Sequence, residues 1–291
     1  MQIVRRWLVF ALVVVLAFSL VGCKTGDDVG QTDSQGSAGS ELSGSITILG
    51  SDTMVNLSQA WAEAFQAENS GVAISVSGGG SGAGFAALIN GTVDFANASR
   101  GIKGEEAEQA EANGVKPEEI EVAKDGIAVL VNPKNSVSEL SIEQLGKVYR
   151  GEITNWKDLG GSNEQIVLLG RDTSSGTYEY FKEEVIGKEL EYSTAMKNLQ
   201  SSQSIVEEVS NNPAAIGYVG IGYVSDATQV VKVDGVAASV GAVLDGSYPL
   251  SRSLFMYGDG KSSEAKTALI EWILSATGQA IVEEQGFVPL P

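Results

Sequence analysis

Three times in this chain a short apolar run stops at a cluster of glycines and hydroxyl residues and then resumes with helical spacing. Residues 45–49 run into Gly50-Ser51-Asp52-Thr53, after which Met54, Leu57, Trp61 and Phe65 share one helical face. Residues 72–76 run into the glycine-rich stretch from Ser77 to Gly84, ahead of Phe85, Leu88 and Ile89. Residues 165–170 run into Arg171-Asp172-Thr173-Ser174-Ser175-Gly176-Thr177, ahead of Tyr178, Phe181 and Val185. Strands alternating with helices in this way place the chain in the α/β class with mostly parallel sheets. Ligands on such sheets bind at the carboxyl ends of the strands, where all three turns lie.

The chemistry of these turns suits an oxyanion. The first N–H groups of a helix have no intrahelical partner, Ser175 and Thr177 add hydroxyl donors, and Arg171 supplies a guanidinium fork. Ser174 or Ser175 serves equally well as a plain helix cap. The glycines between Ser77 and Gly84 let backbone amides approach a ligand without Cβ interference, but no Gly-Lys-Ser or Gly-Lys-Thr follows, so the stretch is not a P-loop.

Elsewhere the pattern predicts strands at 92–97, 121–131, 214–219, 230–233 and 254–257, with the second interrupted at Gly126. It predicts an acidic, solvated helix at 105–112, a helix opened by the capping box Ser141 to Gln144, a helix at 201–211 and one helix over 262–277 with another turn or two at 279–285. Asn155 and Trp156 fall in a loop over 151–161, where Trp156 reads as ordinary packing. Gly126 and the glycines before Ser225 are the points where the chain is expected to cross between two lobes, giving 44–126 with 226–291 as lobe I and 127–225 as lobe II.

At the N-terminus Arg5 and Arg6 precede an apolar run over 7–20, too short for a comfortable membrane span, so residues 1–22 read as a signal peptide. The run ends in Leu20-Val21-Gly22-Cys23, which resembles the lipobox of bacterial lipoproteins. Cys23 is the only cysteine of 291 residues, so lipid attachment explains it better than a disulfide. Residues 23–43 lack apolar periodicity and read as a flexible tether.

A formal charge of −18 argues against nucleic acid or anionic lipid as partners. It does not exclude an anionic ligand, because surface carboxylates are screened beyond about 8–10 Å at physiological salt. The chain has no histidine, which removes Ser-His-Asp hydrolysis, imidazole acid–base catalysis and histidine-ligated metal sites.

Taken together, Gly50-Ser51-Asp52-Thr53-Met54, Gly80-Ser81-Gly82-Ala83-Gly84, Val93 to Arg100, Arg171 to Thr177 and Ala215-Ile216-Gly217-Tyr218 resemble, in order, the phosphate-binding proteins that serve phosphate ABC importers. The resemblance covers nearly all of 44–291. It implies a two-lobed periplasmic-binding-protein fold of type II with a hinge between the lobes, and no cofactor or metal. It also implies inorganic phosphate held in the cleft by Thr53, Met54, Ser81, Arg100, Arg171, Ser175, Gly176 and Thr177. The partners it implies are a membrane-embedded ABC permease and, through the lipid on Cys23 alone, the outer face of the cell membrane or its periplasmic side. Arg100 departs from the family's best-known pattern, in which an aspartate accepts the proton of the bound ion. An arginine cannot accept, so Asp52 or Asp172 is expected to take that role, unless each is a cap or a partner for Arg171. Alternatives are another oxyanion (sulfate, molybdate or phosphonate), a histidine-free phosphatase using Ser81 or Ser175, and a surface lipoprotein that binds no small ligand.

Overall fold

The computed structural model describes residues 42–291. The leader at 1–22, Cys23 and all but the last two residues of the tether lie outside the described residues. Ten strands are described: β1 (Ser43–Gly50), β2 (Gly71–Ser77), β3 (Phe95–Ala98), β4 (Glu118–Val131), β5 (Glu139–Leu140), β6 (Val167–Arg171), β7 (Lys197–Leu199), β8 (Ala215–Gly220), β9 (Gln229–Val233) and β10 (Ser251–Gly258). The main path of the sheet is β2-β1-β3-β10-β4-β8-β6-β7, with β9 pairing both β4 and β5.

Parallel pairing prevails within each half: β1 with β2 and β3, and β6 with β7 and β8. Antiparallel pairing comes in where β4 and β10 join the halves. Strand β4 is the element that both halves share. Its first part pairs with β10 as far as Gly126 opposite Ser251, and from Ile127 onward it pairs with β8. The interruption expected at Gly126 is a change of partner in a continuous strand. Glycine is required there, because a Cβ would meet Val243 Cγ2 at 2.9 Å and Tyr248 and Ile221 within 3.3 Å.

Two large cores follow from this division. One gathers Ile46, Ile48, Leu57, Trp61, Phe65, Val122, Leu254, Met256, Leu269 and Ile273 beneath the helices Val55–Glu68 and Glu264–Leu274. The other gathers Val129, Leu145, Trp156, Leu169, Phe181, Ile205 and Tyr218. A smaller cluster around Phe85, Leu88 and Tyr257 covers the opposite face of the first half, so its sheet is buried on both sides as parallel strands require. Val231, Val233, Val243, Tyr248 and Leu250 pack into the second core, although the sequence pattern assigned everything after residue 225 to the first. The helical stretch predicted over 262–277, with a further turn or two at 279–285, is two helices that divide earlier, Glu264–Leu274 and Ala276–Glu284. Ser275 breaks it: its backbone is extended, and its hydroxyl accepts from Gly278 N–H and donates to Trp272 O.

Candidate functional site

All three glycine- and hydroxyl-bearing turns converge where the two halves meet. Thr53 opens onto the seam from the 3-10 turn Asp52–Met54 that ends β1, Ser81 begins the helix Ser81–Ile89, and Thr177 lies in the first turn of the helix Gly176–Phe181 after β6. Thr53, Ser81, Ser175, Thr177 and Arg171 are each at most 2 % exposed. Burial of so many polar side chains is unusual and requires partners.

The halves touch through these groups. Thr53 Oγ1 and Thr177 Oγ1 are 2.8 Å apart, Gly82 N–H donates to Ser174 O at 2.9 Å, and the Ser174 hydroxyl donates to Gly79 O at 2.9 Å. Asp52 Oδ2 receives Arg171 Nη2 at 2.8 Å across the seam. Nearer the surface Lys103 pairs with Glu179 at 3.2 Å. Gly176 has no room for a side chain, since a Cβ there would meet Ser81 Oγ at 2.4 Å and Ser99 Oγ at 2.7 Å.

The residues singled out by motif have distinct surroundings. Arg171 donates to Asp52, to Gln200 O at 2.7 Å and to Ser202 Oγ at 3.0 Å, while its buried Nε has no hydrogen-bond partner. An unpaired buried donor of this kind costs on the order of 1–3 kcal/mol, and an anion would satisfy it. Ser175 caps its helix: its oxygen accepts from the amides of Thr177 and Tyr178, which commits the Thr177 N–H and leaves the Ser175 hydroxyl hydrogen to give. The Met54 N–H, expected as a donor, bonds Ser51 O at 3.0 Å. Arg100 forms a two-point pair with Glu106 at 2.8 and 2.7 Å and lies over the Phe85 ring, so Glu106 belongs to no solvated face.

Both carboxylates expected as acceptors have local work. Asp172 Oδ1 accepts the Ser174 N–H and shares the single Ser174 hydroxyl hydrogen with Gly79 O, fixing the turn. Asp52 holds Arg171 and accepts Gly79 N–H at 3.3 Å. Burial pushes the Asp52 carboxyl above its ordinary range, although Arg171 pulls the other way. Burial likewise lowers the Arg171 guanidinium from its usual value against the pull of Asp52 and Asp172. Desolvation thus works against charge on both partners, and the pair holds because each is the other's nearest counter-ion.

Sequence reasoning missed a second buried ion pair at the floor of the seam. Arg252 of β10 stands directly opposite Asp125 of β4, and its Nε and Nη2 reach Asp125 Oδ2 at 3.0 and 2.8 Å. The same guanidinium bonds Ser99 O at 3.0 Å and Thr177 Oγ1 at 2.9 Å. Ser51 and Ser99 were also missed: Ser51 donates to Ser99 Oγ at 2.9 Å, and Ser99 N–H donates to Ser81 Oγ at 3.1 Å. The available signal was charge inside two apolar strand patterns, Lys124 and Asp125 in 122–131 and Arg252 in 250–257, because a buried charge demands a partner. Beside the seam lies a cavity of about 460 Å³ whose walls include Ser99, Arg100, Lys103, Glu179, Tyr180 and Arg252. Among the described residues no cluster of acidic residues or cysteine could hold a metal ion, and no helix is long and apolar enough to cross a membrane.

Comparison with known proteins agrees with this geometry. Residues 35–277 match the model of the PBP superfamily domain. The phosphate-binding protein PstS of Staphylococcus epidermidis is 33 % identical over 301 residues, covering 99 % of this chain and 90 % of that protein. PstS of Pseudomonas aeruginosa is 33 % identical over 278 residues, 87 % of this chain and 85 % of its own. Among solved structures, a putative phosphate ABC transporter substrate-binding protein from Clostridium perfringens, with bound phosphate, superposes with a TM-score of 0.81 at 36 % identity, covering 85 % of this chain and 100 % of that one. An ABC-type phosphate transport receptor from Vibrio cholerae gives 0.68 at 27 % identity, over 84 % of this chain and 100 % of that one. The architecture is accordingly the two-lobed periplasmic-binding-protein fold.

Proposed function

The chain belongs to the phosphate-binding protein family of the PBP superfamily, and we propose that it captures inorganic phosphate between its lobes and delivers it to an ABC importer without covalent chemistry. The observation that carries this reading is a group of buried polar side chains gathered at the seam: the Arg171 guanidinium, with an unpartnered Nε, and the hydroxyls of Thr53, Ser81, Ser175 and Thr177. Those donors, with Gly176 N–H, form our proposed ligand set. Met54 stands outside it, since its amide is bonded to Ser51, and so does Arg100, whose terminal nitrogens Glu106 holds, although its buried Nε, like that of Arg171, has no partner. Neither Asp52 nor Asp172 is the acceptor in this reading, because Asp52 orients Arg171 and Asp172 orients Ser174.

The lobes are taken as 44–126 with 251–291, and 127–250, following the division of the two cores rather than a boundary at residue 225. Closure about the β4–β10 crossing would desolvate the ion, so each buried donor counts for more than in water. Residues 1–43 are proposed to place the folded part outside the cytoplasmic membrane, tethered by a lipid on Cys23 and within reach of the permease. A thermal melt tests the binding claim: phosphate at about 100 times its dissociation constant should raise the melting temperature by about 5–10 °C, and sulfate at equal ionic strength much less. No phosphate-dependent shift would count against the reading.

A further inference from the structure

We infer that Arg252 is a second arginine of the anion site, and that by donating to the Thr53–Thr177 hydroxyl pair it turns that pair into a donor facing the ligand; the inference rests on the phosphate-binding reading above. Arg252 is placed with care. It rises from the strand that joins the lobes, in register with Asp125, whose Oδ2 holds Nε and Nη2 and whose Oδ1 is fixed by Ile221 N–H at 3.0 Å. Nη1 bonds Ser99 O, and Nη2 reaches Thr177 Oγ1 at 2.9 Å and Thr53 Oγ1 at 3.4 Å. The side chain therefore contacts both hydroxyls that the lobes bring together, from a position that belongs to neither turn.

The direction of the hydrogen bonds follows from what a guanidinium is. It has donors and no acceptor, so a hydroxyl oxygen that receives Arg252 keeps its own hydrogen to give. Thr53 and Thr177 are 2.8 Å apart, so one donates to the other. The remaining hydroxyl hydrogen of the pair then points away from both arginine and partner, toward whatever occupies the cleft. Toward the ligand this corner presents a hydroxyl donor, backed by a guanidinium whose charge Asp125 offsets from behind. It suits a bare, fully charged ligand oxygen and disfavours a protonated one, so Arg252 biases the site toward the dianion of phosphate over the monoanion. Arg171 adds a donor of the same kind only through its unpartnered Nε, because its terminal nitrogens are directed to Asp52, Gln200 and Ser202.

The experiment is calorimetric titration with inorganic phosphate of the full chain and of its Arg252→Gln and Arg252→Lys variants, at about pH 8, where the ligand is mostly the dianion, and at about pH 5.5, where it is mostly the monoanion. Unliganded melting temperatures are recorded alongside. Arg252→Gln should lose about 10- to 100-fold in affinity at the higher pH. It should lose distinctly less at the lower pH, so the ratio of the two affinities falls. Arg252→Lys keeps the charge without the fork, and should show an intermediate loss with the wild-type ratio retained. Native affinity in Arg252→Gln at both pH values overturns the inference. So does an equal loss at both, which is what a purely structural role would give. If Arg252→Gln does not fold, Thr177→Val decides, since it removes the hydroxyl that Arg252 reaches: a larger loss at the higher pH supports, and native affinity or an equal loss at both overturns. Failure of the wild-type chain to bind phosphate at all would instead refute the phosphate reading, before Arg252 comes into question.

Discussion

Asp52 and Arg171 stand 119 positions apart in the chain and meet at 2.8 Å across the seam between the lobes, the arginine fully buried and the aspartate largely so. The pair has two consequences. It ties the closed form together, and it keeps Asp52 from acting as a free acceptor for a protonated ligand. Asp52→Asn should therefore weaken phosphate and sulfate by a common factor, leaving their ratio unchanged. It should also cost about 1–3 kcal/mol of stability by stranding a buried guanidinium. Urea unfolding and competitive titrations check both parts; a loss confined to phosphate would restore Asp52 as the acceptor.

Gly176→Ala should keep both lobes folded while preventing them from meeting. The added methyl would press on Ser81 Oγ and Ser99 Oγ of the opposite lobe, both fully buried. Overpacking of this order costs about 1–3 kcal/mol, or roughly 5- to 150-fold in phosphate affinity. Titration and small-angle scattering check it, the variant remaining more open in phosphate than the wild type.

The Arg100–Glu106 pair gives a pH-dependent term. Burial alone would raise the Glu106 carboxyl, but the hydrogen bonds from Arg100 and the Lys103 amide outweigh it and hold it below the ordinary 4.5. A depressed carboxylate stabilises the fold above its unfolded value, and that contribution disappears as pH falls through the folded value. The stability difference between wild type and Glu106→Gln should thus be present at neutral pH and shrink below pH 4.5. Denaturant melts at several pH values measure it; a difference independent of pH would contradict the assignment.

Phe181 and Tyr218 stack with ring centroids 3.9 Å apart and planes within 3° of parallel, in the core directly behind the Ser175–Thr177 turn. Phe181→Ala should cost about 3–5 kcal/mol by opening a cavity there. Because Tyr218 also bonds Tyr192 at 3.1 Å, the loss should appear in near-ultraviolet circular dichroism as loosened tyrosine packing, with far-ultraviolet signal retained.

The turns were legible because their chemistry is local: a strand end, glycines and a hydroxyl cap lie within ten residues and signal one another. The capping box at Ser141 and Gln144 formed for the same reason. Asp125 and Arg252 were not legible as a pair, because their meeting depends on the register of two strands 127 positions apart. Arg100 enters the expected ligand set through the family resemblance; its pairing with Glu106 was not legible, because the helix carrying Glu106 reads as a solvated acidic one. The pairing of β9 with the far end of β4 was not legible, because β9 reads only as a strand from its sequence.

The central claim, that closure over buried hydroxyls and arginines makes an oxyanion site suited to phosphate, is tested most directly by calorimetric titration of the purified chain with phosphate, sulfate, molybdate and a phosphonate. The account predicts saturable one-to-one binding of phosphate, with the other anions weaker by at least about tenfold. Binding of sulfate equal to or tighter than phosphate, or no binding of phosphate, would contradict it.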